Sequence, residues 1–375
     1  MQFRDLHAQY QALKPEIDAG IQSVIESTGF ILGKPVAELE EKLAEYVGRK
    51  HCIGVANGTE ALQLALMAND VGPGDAVFTS DFTYFASAGC ASIIGATPAL
   101  VDIDLHTFNM SPAALEQQIK HVLSEGKLKP KVIIPVDLFG LPANYPEIVK
   151  IAVKYDLLIL EDAAQGFGGR IDGKLACSFG DISATSFFPA KPLGCYGDGG
   201  AIFTDDDSVD ARLRSLRASG KSPEDKYDNR EVGMNSRLDT LQAAILLPKF
   251  KAFQDYEVDA VNRVADVYTS ALKDHVVTPT VPEGYLSSWA QYTILLENKT
   301  QRDSVQAKLK EKGIPTMVYY PRGLHQQAAY RWMNLDDADY PNTIMATQRV
   351  LSLPMHPYMK EEEQKFIIRS LLEAL

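Results

Sequence analysis

The sequence predicts an α/β protein whose central sheet is mostly parallel and is covered by helices on both faces. Between residues 50 and 205, short runs rich in apolar and β-branched residues alternate with helical stretches, which is typical of repeated βα units. The central predicted strands are continuously apolar, as strands buried on both faces are. The composition, 46% apolar and 23% charged residues, is that of an ordinary globular protein.

The alternation assigns each element of the sheet in turn. The predicted elements are strand Cys52–Ala56, helix Thr59–Asn69, strand Ala76–Thr79, helix Ala86–Ile94, strand Val132–Phe139, helix Tyr145–Tyr155 and strand Leu157–Leu160. A further strand begins near Ile182 and leads toward Lys191. Consecutive strand, helix and strand in this order form parallel pairs, because the helix returns the chain to the same end of the sheet.

The length of 375 residues favours two domains, at about 150 residues per domain. After about Pro248 the pattern changes to an amphipathic helix over 253–272, strand candidates at Ala290–Leu296 and Pro315–Tyr320, a helix at Arg302–Lys312 between them, and a last helix near Lys360. We therefore expect a large α/β domain with an N-terminal arm over residues 1–248 and a smaller α+β domain over residues 249–375.

Charge and motif content exclude several classes of protein. The net charge of −12 argues against a nucleic-acid binder or a polybasic membrane anchor. The N-terminus has no apolar signal-peptide region, and no apolar run approaches the roughly 20 residues of a membrane span, which predicts a cytoplasmic protein. The four cysteines form no C-x-x-C pair, and the seven histidines are never three to five residues apart, so no metal site is expected.

In an open parallel sheet, ligands bind outside the carboxyl ends of the strands, so the residues that follow each strand are the candidates for chemistry. The first such segment is Asn57–Leu62, which leads into a helix. Gly58 permits a tight turn there, and unpaired N–H groups at a helix N-terminus bind anions. Taken alone, the segment is better explained as an ordinary helix cap by Asn57 or Thr59, since it lacks the Walker pattern.

Two ionisable residues follow later strands. Asp162 comes after the apolar run Leu158–Leu160, and a carboxylate there needs a cation or several donors. The protonated ring nitrogen of a cofactor, a salt bridge and a helix cap are all open as its partner. Lys191 lies between Pro189 and Pro192, before a glycine-rich stretch. Most lysines are solvated, but a desolvated lysine at the edge of the sheet suits Schiff-base chemistry.

Tyr84, at the start of the second predicted helix, adds an aromatic ring that either stacks on a planar ligand or packs in the core. In chain order the sequence therefore carries an anion-binding loop, an aromatic ring, a strand-end carboxylate and a strand-end lysine. A fold type I pyridoxal-phosphate enzyme requires these groups in this order.

At this point the sequence resembles the DegT/DnrJ/EryC1/StrS family of sugar aminotransferases over nearly the whole chain. The likeness is carried by six ordered segments, Gly29–Gly33, Asn57–Leu62, Glu161–Gln165, Ser186–Lys191, Gly197–Gly200 and Asn235–Asp239. The resemblance implies the fold type I, aspartate aminotransferase-like fold, pyridoxal 5'-phosphate as cofactor and a homodimer with shared active sites.

The resemblance also implies roles for individual residues. Lys191 would form the Schiff base with the cofactor and later carry the proton, and Asp162 would pair with the ring nitrogen and keep it protonated. Gln165 would bind the ring hydroxyl and Tyr84 would stack on the ring. The phosphate would be held by Gly58, by the N–H groups of Thr59 and Glu60, by the Ser186 hydroxyl and by Asn235 of the neighbouring subunit.

Family substrates are nucleotide-linked keto-sugars, with glutamate as the amino donor. The segment from Pro189 to Gly194 is most similar to the branch that acts on UDP-2-acetamido-2-deoxy-3-oxo-glucuronate, which serves surface polysaccharide (O-antigen) synthesis. Arg237 would then grip the hexuronate carboxylate. Where the family commonly has His-Tyr-Pro, this chain has Tyr319 and Tyr320 before Pro321, and tyrosine brings no positive charge near neutral pH. A neutral 3- or 4-keto-6-deoxyhexose is therefore the alternative substrate.

Other activities are disfavoured by single positions. Dehydratases of the same fold have histidine where Lys191 stands, and a non-catalytic homologue would not need both Lys191 and Asp162. A nicotinamide dehydrogenase needs a third glycine where this chain has Ile171. The G-x-S-x-G elbow of serine hydrolases is absent.

Overall fold

The computed structural model describes residues 1–222, 224–225 and 227–375. Residues 1–50 contain two helices, α1 (Leu6–Ser27) and α2 (Lys34–Val47), where the sequence predicted only an N-terminal arm. Asp5 begins α1 by accepting a hydrogen bond from the backbone N–H of Ala8 at 2.8 Å. An acceptor at this position satisfies one of the N–H groups that a helix start leaves unpaired.

The central region follows in the order β1 (His51–Val55), α3 (Gly58–Ala68), β2 (Asp75–Ser80), α4 (Ala86–Ile93), β3 (Thr97–Val101), α5 (Pro112–Glu125), β4 (Lys129–Ile134), α6 (Tyr145–Tyr155), β5 (Leu158–Asp162), β6 (Arg170–Ile171), β7 (Lys174–Leu175), β8 (Ile182–Ser186), β9 (Gly200–Thr204) and α7 (Asp207–Leu216). Within the described residues, seven strands form one sheet in the order β1-β9-β8-β5-β4-β2-β3. Only β9 runs antiparallel to its neighbours. The predicted mostly parallel α/β sheet is confirmed.

Apolar side chains cover both faces of this sheet. Successive residues of β5 face opposite sides, as the two-residue period of a strand requires. Leu160 packs with Leu64 of α3, whereas Ile159 packs with Leu115 of α5 and Ile148 of α6. Because both faces are buried, the strands read as continuously apolar in the sequence.

The C-terminal part contains α8 (Thr240–Ala252), α9 (Val258–Leu272), β10 (Tyr285–Leu286), β11 (Tyr292–Leu295), α10 (Lys299–Glu311), α11 (Pro341–Arg349), β12 (Val350–Leu353) and α12 (Glu361–Ala374). One π-helical turn over 253–257 joins α8 to α9, so residue 248 lies inside a continuous helical run. Strands β11 and β12 pair antiparallel. The division of the chain at residue 248 stays a prediction.

Two predicted strands differ from the structure. The predicted strand Val132–Phe139 ends at Ile134, because Pro135 has no N–H to continue the ladder. The predicted strand Pro315–Tyr320 is wrong: among these residues only Met317 forms a bridge, to Ser352. Among the described residues, no helix is both long and apolar enough to cross a bilayer.

Candidate active site

Two of the candidate residues lie at the carboxyl ends of neighbouring strands. Asp162 is the last residue of β5, and Ser186 is the last residue of β8. These two strands pair in parallel, with Asp162 opposite Ala184. The start of α3, which follows β1, lies at the same edge, and this edge is where ligands bind in open α/β sheets.

Asp162 is buried, with 4% of its surface exposed. Its carboxylate accepts hydrogen bonds from the Ser87 hydroxyl at 2.8 Å and from the Ala164 N–H at 3.2 Å. Burial raises the pKa of Asp162, whereas these two donors and the positive charge of Lys191 lower it. Within the described part of the chain, no cationic side chain forms an ion pair with this carboxylate, so a buried negative charge is left for a ligand to neutralise.

The preceding carboxylate, Glu161, shows the contrast. It faces the opposite side of the sheet and is fully buried. Its oxygens accept hydrogen bonds from Cys177 N at 2.6 Å, Phe179 N at 2.8 Å, Gly180 N at 3.3 Å and Ser183 Oγ at 2.8 Å. These four donors account for Glu161 as a structural residue that holds the loop before β8.

Lys191 lies in a tight turn just beyond β8. Its backbone N–H donates to the Phe188 carbonyl at 2.8 Å, and Gly194 packs so closely that a Cβ there would lie 2.5 Å from the Pro189 carbonyl oxygen. Burial lowers the pKa of the Lys191 amine, whereas the charge of Asp162 raises it and that of Arg4 lowers it further. A lysine with a lowered pKa is more often uncharged near neutral pH, which is the form that attacks a carbonyl carbon.

The start of α3 and the end of β8 approach each other closely. A Cβ on Gly58 would lie 2.7 Å from Ser186 Cβ, so only glycine permits this approach. The N–H groups of Gly58 and Thr59 lie in the first helical turn and have no helical partner. The N–H of Glu60 already donates to the Asn57 side chain at 2.8 Å, so its contact with a phosphate stays a prediction.

Aromatic and amide groups line the site beside Asp162. Gln165 donates from Nε2 to the Tyr320 hydroxyl at 3.3 Å and accepts from the Phe139 N–H at 3.0 Å. Burial raises the pKa of Tyr320, and nearby Asp162 and Tyr84 act in the same direction. The Tyr84 side chain is 58% exposed, which leaves its ring free to stack on a ligand.

The segment that contains Asn235 and Arg237 lies next to the start of α3. Ser236, between them, is buried and accepts a hydrogen bond from the Ala56 N–H at 3.2 Å. Asn235 is exposed and Arg237 is half-buried. Neither side chain is hydrogen-bonded to Lys191 or to the residues around Asp162 in the described parts of the protomer.

Two residues that contact the site were not found from the sequence. Ser87 holds the Asp162 carboxylate, and Arg4 donates from its guanidinium to the Pro192 carbonyl at 3.3 Å. Neither belongs to a motif: Ser87 lies 75 residues from its partner, and Arg4 lies 188 residues from its own. A helix start with a serine hydroxyl gives only a weak signal in a sequence, and an arginine near the N-terminus gives none.

The groups present fit pyridoxal phosphate. Unpaired N–H groups at a helix start beside the Ser186 hydroxyl suit a phosphate, and a buried carboxylate suits a protonated ring nitrogen. Lys191 suits the aldehyde carbon, and the exposed Tyr84 ring suits the face of a pyridine.

Comparison with known proteins supports the same cofactor and family. The DegT/DnrJ/EryC1/StrS aminotransferase family profile matches residues 11–372. The UDP-2-acetamido-2-deoxy-3-oxo-D-glucuronate aminotransferase of Pseudomonas aeruginosa is 45% identical over 372 residues, which cover 99% of each chain. A protein of Geobacillus stearothermophilus named pleiotropic regulatory protein is 43% identical, over 98% of this chain and 97% of its own.

A solved structure is similar over the whole length. The crystal structure of a DegT DnrJ EryC1 StrS aminotransferase from Brucella abortus superposes with a TM-score of 0.96 at 47% identity. The match covers 100% of this chain and 99% of that one.

Proposed function

The chain belongs to the DegT/DnrJ/EryC1/StrS family of pyridoxal-phosphate-dependent sugar aminotransferases, and on that premise we propose that it moves an amino group from glutamate to UDP-2-acetamido-2-deoxy-3-oxo-glucuronate. One observation carries the chemistry: Lys191 and the buried carboxylate of Asp162 lie at one edge of the sheet, and each changes the pKa of the other. The similarity to the Pseudomonas aeruginosa enzyme supports the choice of sugar.

Lys191 and Asp162 do the chemistry in this proposal. Pyridoxal phosphate supplies a ring that accepts electrons from the substrate carbon as that carbon loses its proton. Lys191 would hold the cofactor through Nζ, and the same amine would move the proton to and from the substrate carbon. Asp162 keeps a proton on the ring nitrogen, and the Ser87 hydroxyl fixes the orientation of its carboxylate.

The remaining groups position the ring and the phosphate. Thr59 and Ser186 bind the phosphate, and Gly58 permits their approach. Gln165, oriented by its bonds to Phe139 and Tyr320, reaches the ring hydroxyl. Tyr84 covers one face of the ring, which keeps water away from the reacting bonds.

Substrate recognition combines charge and hydrogen bonding. Arg237, half-buried beside α3, binds the hexuronate carboxylate, since a guanidinium matches a carboxylate with two parallel hydrogen bonds. Tyr319 and Tyr320 offer hydroxyls toward the sugar. Because Tyr319 has no charge, an aminotransferase that acts on a neutral 3- or 4-keto-6-deoxyhexose is the second candidate.

We also infer a homodimer that works in the cytoplasm on precursors of lipopolysaccharide. Asn235 would then reach the phosphate of the neighbouring subunit, and its exposure in the single chain supports this role. The apolar side chain of Phe188, just beyond β8, is 52% exposed and is the kind of surface that a second subunit covers.

A panel of keto-sugars tests the substrate. The enzyme is first converted to its amino form with glutamate, and each sugar nucleotide is then assayed for the return of the cofactor absorbance band. We expect the 3-oxo-glucuronate to restore the band faster than a neutral 6-deoxy keto-sugar. A faster reaction with the neutral sugar selects the second candidate and leaves only the aminotransferase chemistry in place.

A further inference from the structure

The N-terminal residues before α1 lie against the candidate site. Arg4 donates from its guanidinium to the carbonyl oxygen of Pro192, which directly follows Lys191, at 3.3 Å. The Phe3 ring meets the Tyr319 ring edge-on, with centroids 6.2 Å apart. The Phe3 carbonyl accepts a hydrogen bond from the Met355 N–H at 3.1 Å, which fixes the segment in place. Residues 3 and 4 thus connect the lysine turn to the Tyr319 side of the site.

The guanidinium of Arg4 forms no ion pair with a carboxylate among the described residues. No carboxylate in the described ranges lies within ion-pair distance of its guanidinium. Its neighbour Asp5 faces the start of α1, and Glu257 acts on Arg4 only through space, by raising its pKa against the larger lowering by burial. One Glu257 oxygen already accepts from Gln9 at 2.8 Å and from Tyr358 at 2.7 Å.

A second cation increases the positive charge of this region. Lys249 is 1% exposed, and its amine has no hydrogen-bond partner among the described residues. The pKa of Lys249 is lowered to about 8, mainly by burial and in part by Arg4, whereas Glu257 acts to raise it. Glu257 is the carboxylate whose charge acts on both cations, so among the described residues two buried or half-buried cations share one anion. Burying unpaired charge is costly, and this region therefore favours binding of a further negative group.

We propose that the Arg4 guanidinium binds a carboxylate of the substrate beside Lys191, an inference that rests on the proposed aminotransferase function. A guanidinium has five N–H donors in a planar fork, and the Pro192 carbonyl uses only one side of it. The fork matches a carboxylate with two parallel bonds. Arg4 also supplies a positive charge, which Tyr319 and Tyr320 do not.

Both proposed substrates contain a carboxylate that is a candidate to bind the Arg4 guanidinium. In glutamate, the α-carboxylate is bonded to the carbon that carries the amino group. This carboxylate must therefore lie close to Lys191 when the amino group of glutamate reacts. In the hexuronate, the carboxylate is attached to the sugar ring, farther from the reacting carbon. The contact of Arg4 with the residue next to Lys191 favours the glutamate carboxylate, and separate half-reactions distinguish the two sources.

The test uses the cofactor-loaded enzyme with Arg4→Gln, which removes the charge, and Arg4→Lys, which keeps the charge without the fork. Lys14→Gln is the matched control, since it removes an exposed cation of α1 whose partners, Asp18 and the Tyr10 hydroxyl, lie on the same helix. Three half-reactions are followed through the cofactor band: with glutamate, with UDP-2-acetamido-2-deoxy-3-oxo-glucuronate, and with its neutral 3-oxo-glucose counterpart. Calorimetric binding of 2-oxoglutarate, which the resting form cannot convert, measures carboxylate affinity without turnover.

We expect Arg4→Gln to weaken half-saturation by at least about tenfold in one carboxylate arm, with the neutral sugar changed less than about twofold. Loss in the glutamate arm, together with weaker 2-oxoglutarate binding, assigns Arg4 to the amino donor; loss in the uronate arm alone assigns it to the sugar. Arg4→Lys should be intermediate in the same arm.

Unchanged half-saturation in both carboxylate arms overturns the proposal, and so does an equal loss in all three arms, which marks a structural role. A wild type that does not react with glutamate contradicts the proposed function instead. In that case 2-oxoglutarate binding still decides the role of Arg4: equal affinity in wild type and Arg4→Gln overturns it, and weaker binding in the variant supports it.

Discussion

Burial disfavours the charged forms of both Lys191 and Asp162. Burial lowers the pKa of the lysine and raises that of the aspartate. The charge of each residue shifts the pKa of the other partly back toward its ordinary value. A site that binds a polar cofactor benefits from such groups, because a ligand that pairs with them relieves the cost of their burial. The shifted pKa values of Lys191 and Asp162, at one edge of the sheet, are therefore what distinguishes these residues as a candidate site.

Replacing Lys191 by alanine should leave the fold intact and reduce turnover by several orders of magnitude, because the substitution removes both the attachment point and the proton carrier. In the wild type, borohydride should fix the pyridoxyl group permanently onto Lys191. Peptide mapping by mass spectrometry checks this directly. A reduced pyridoxyl group on another lysine, such as the buried Lys249, would refute the assignment.

Asp162→Asn keeps the size of the side chain and removes its charge. We expect a large loss in the rate of proton transfer with a modest loss of cofactor affinity, because an amide does not stabilise a protonated ring nitrogen by charge. Stopped-flow measurement of the glutamate half-reaction checks the rate. A matched variant, Ser87→Ala, removes one hydrogen bond to the carboxylate and should lower the rate less. An unchanged rate in Asp162→Asn would mean that the carboxylate only caps the turn.

Arg237→Ala tests the sugar. Truncating one partner of a buried charge pair typically costs about 2–5 kcal/mol, because the other charge is left unpaired. We expect a steep rise in KM for the 3-oxo-glucuronate, while the half-reaction with glutamate changes much less. Steady-state kinetics with both substrates decides the matter; an unchanged KM for the uronate contradicts this role for Arg237.

Single residues were predictable from the sequence where position in the fold identifies them. Asp162 ends the largely apolar strand β5 and Lys191 follows β8, so both were predicted from their position at the edge of the sheet. Ser87 and Arg4 were not predictable, because each acts through a contact that exists only after distant segments have packed. The opposite orientation of Glu161, next to Asp162, follows from the strand period, but its four donors were not foreseen.

At the scale of elements, a buried histidine joins the loop after Gly323 to the end of β2. The His325 ring bonds Asp81 at 2.6 Å and Asp337 at 2.9 Å, and its backbone N–H donates to Asp81 at 2.8 Å. This link holds the chain that follows Tyr319 and Tyr320 against the strand that leads to Tyr84. Two segments of the candidate site are therefore fixed to each other through His325.

The same link predicts a pH-dependent stability. Burial lowers the pKa of His325, but the hydrogen bonds and charges of Asp81 and Asp337 raise it to a net value above the ordinary 6.5. The stabilisation is then fully present below pH 6.5 and is lost as pH rises through the higher folded-state pKa. We expect His325→Gln to lose about 2 kcal/mol of unfolding free energy near pH 6 and clearly less near pH 9. Urea unfolding at both pH values measures it; an equal loss at both contradicts the charged link.

Elements were predictable where an apolar period was strong. Helix α6 and the helical run over 253–272 agree with their stripes. The predicted strand Pro315–Tyr320 is wrong because no partner strand pairs with these residues, of which only Met317 forms a bridge. Their apolar side chains pack against neighbouring side chains instead. Strands β3 and β9 are short and were not predicted, although both complete the sheet.

For the whole molecule, the proposed homodimer implies that each site needs two chains. Lys191→Ala removes the lysine from its own site, and Asn235→Ala should weaken the site of the partner. In a mixed dimer of these two variants, one site has both Lys191 and Asn235, and the other site lacks both. We therefore expect mixing to restore up to one working site in two. Activity that stays at the level of the parents after mixing and exchange would contradict a site shared through Asn235.

Strand order and assembly lie beyond what the sequence predicted. The order β1-β9-β8-β5-β4-β2-β3 depends on pairings between distant segments, which local patterns do not specify. The class of sheet was nevertheless predictable, because parallel strands buried on both faces have a distinctive apolar pattern. The class also indicated which edge of the sheet to examine, since only one edge collects the strand-end residues, whereas the chemistry itself came from the family resemblance.

The central claim is amino transfer from glutamate to a nucleotide-linked keto-sugar at Lys191. Its most direct test is incubation of the holoenzyme with heavy-nitrogen glutamate and UDP-2-acetamido-2-deoxy-3-oxo-glucuronate, followed by mass spectrometry of the sugar nucleotide. We predict an aminated product that carries the heavy nitrogen with wild type and none with Lys191→Ala. Absence of the heavy nitrogen from every keto-sugar offered, or equal labelling by Lys191→Ala, would contradict the account.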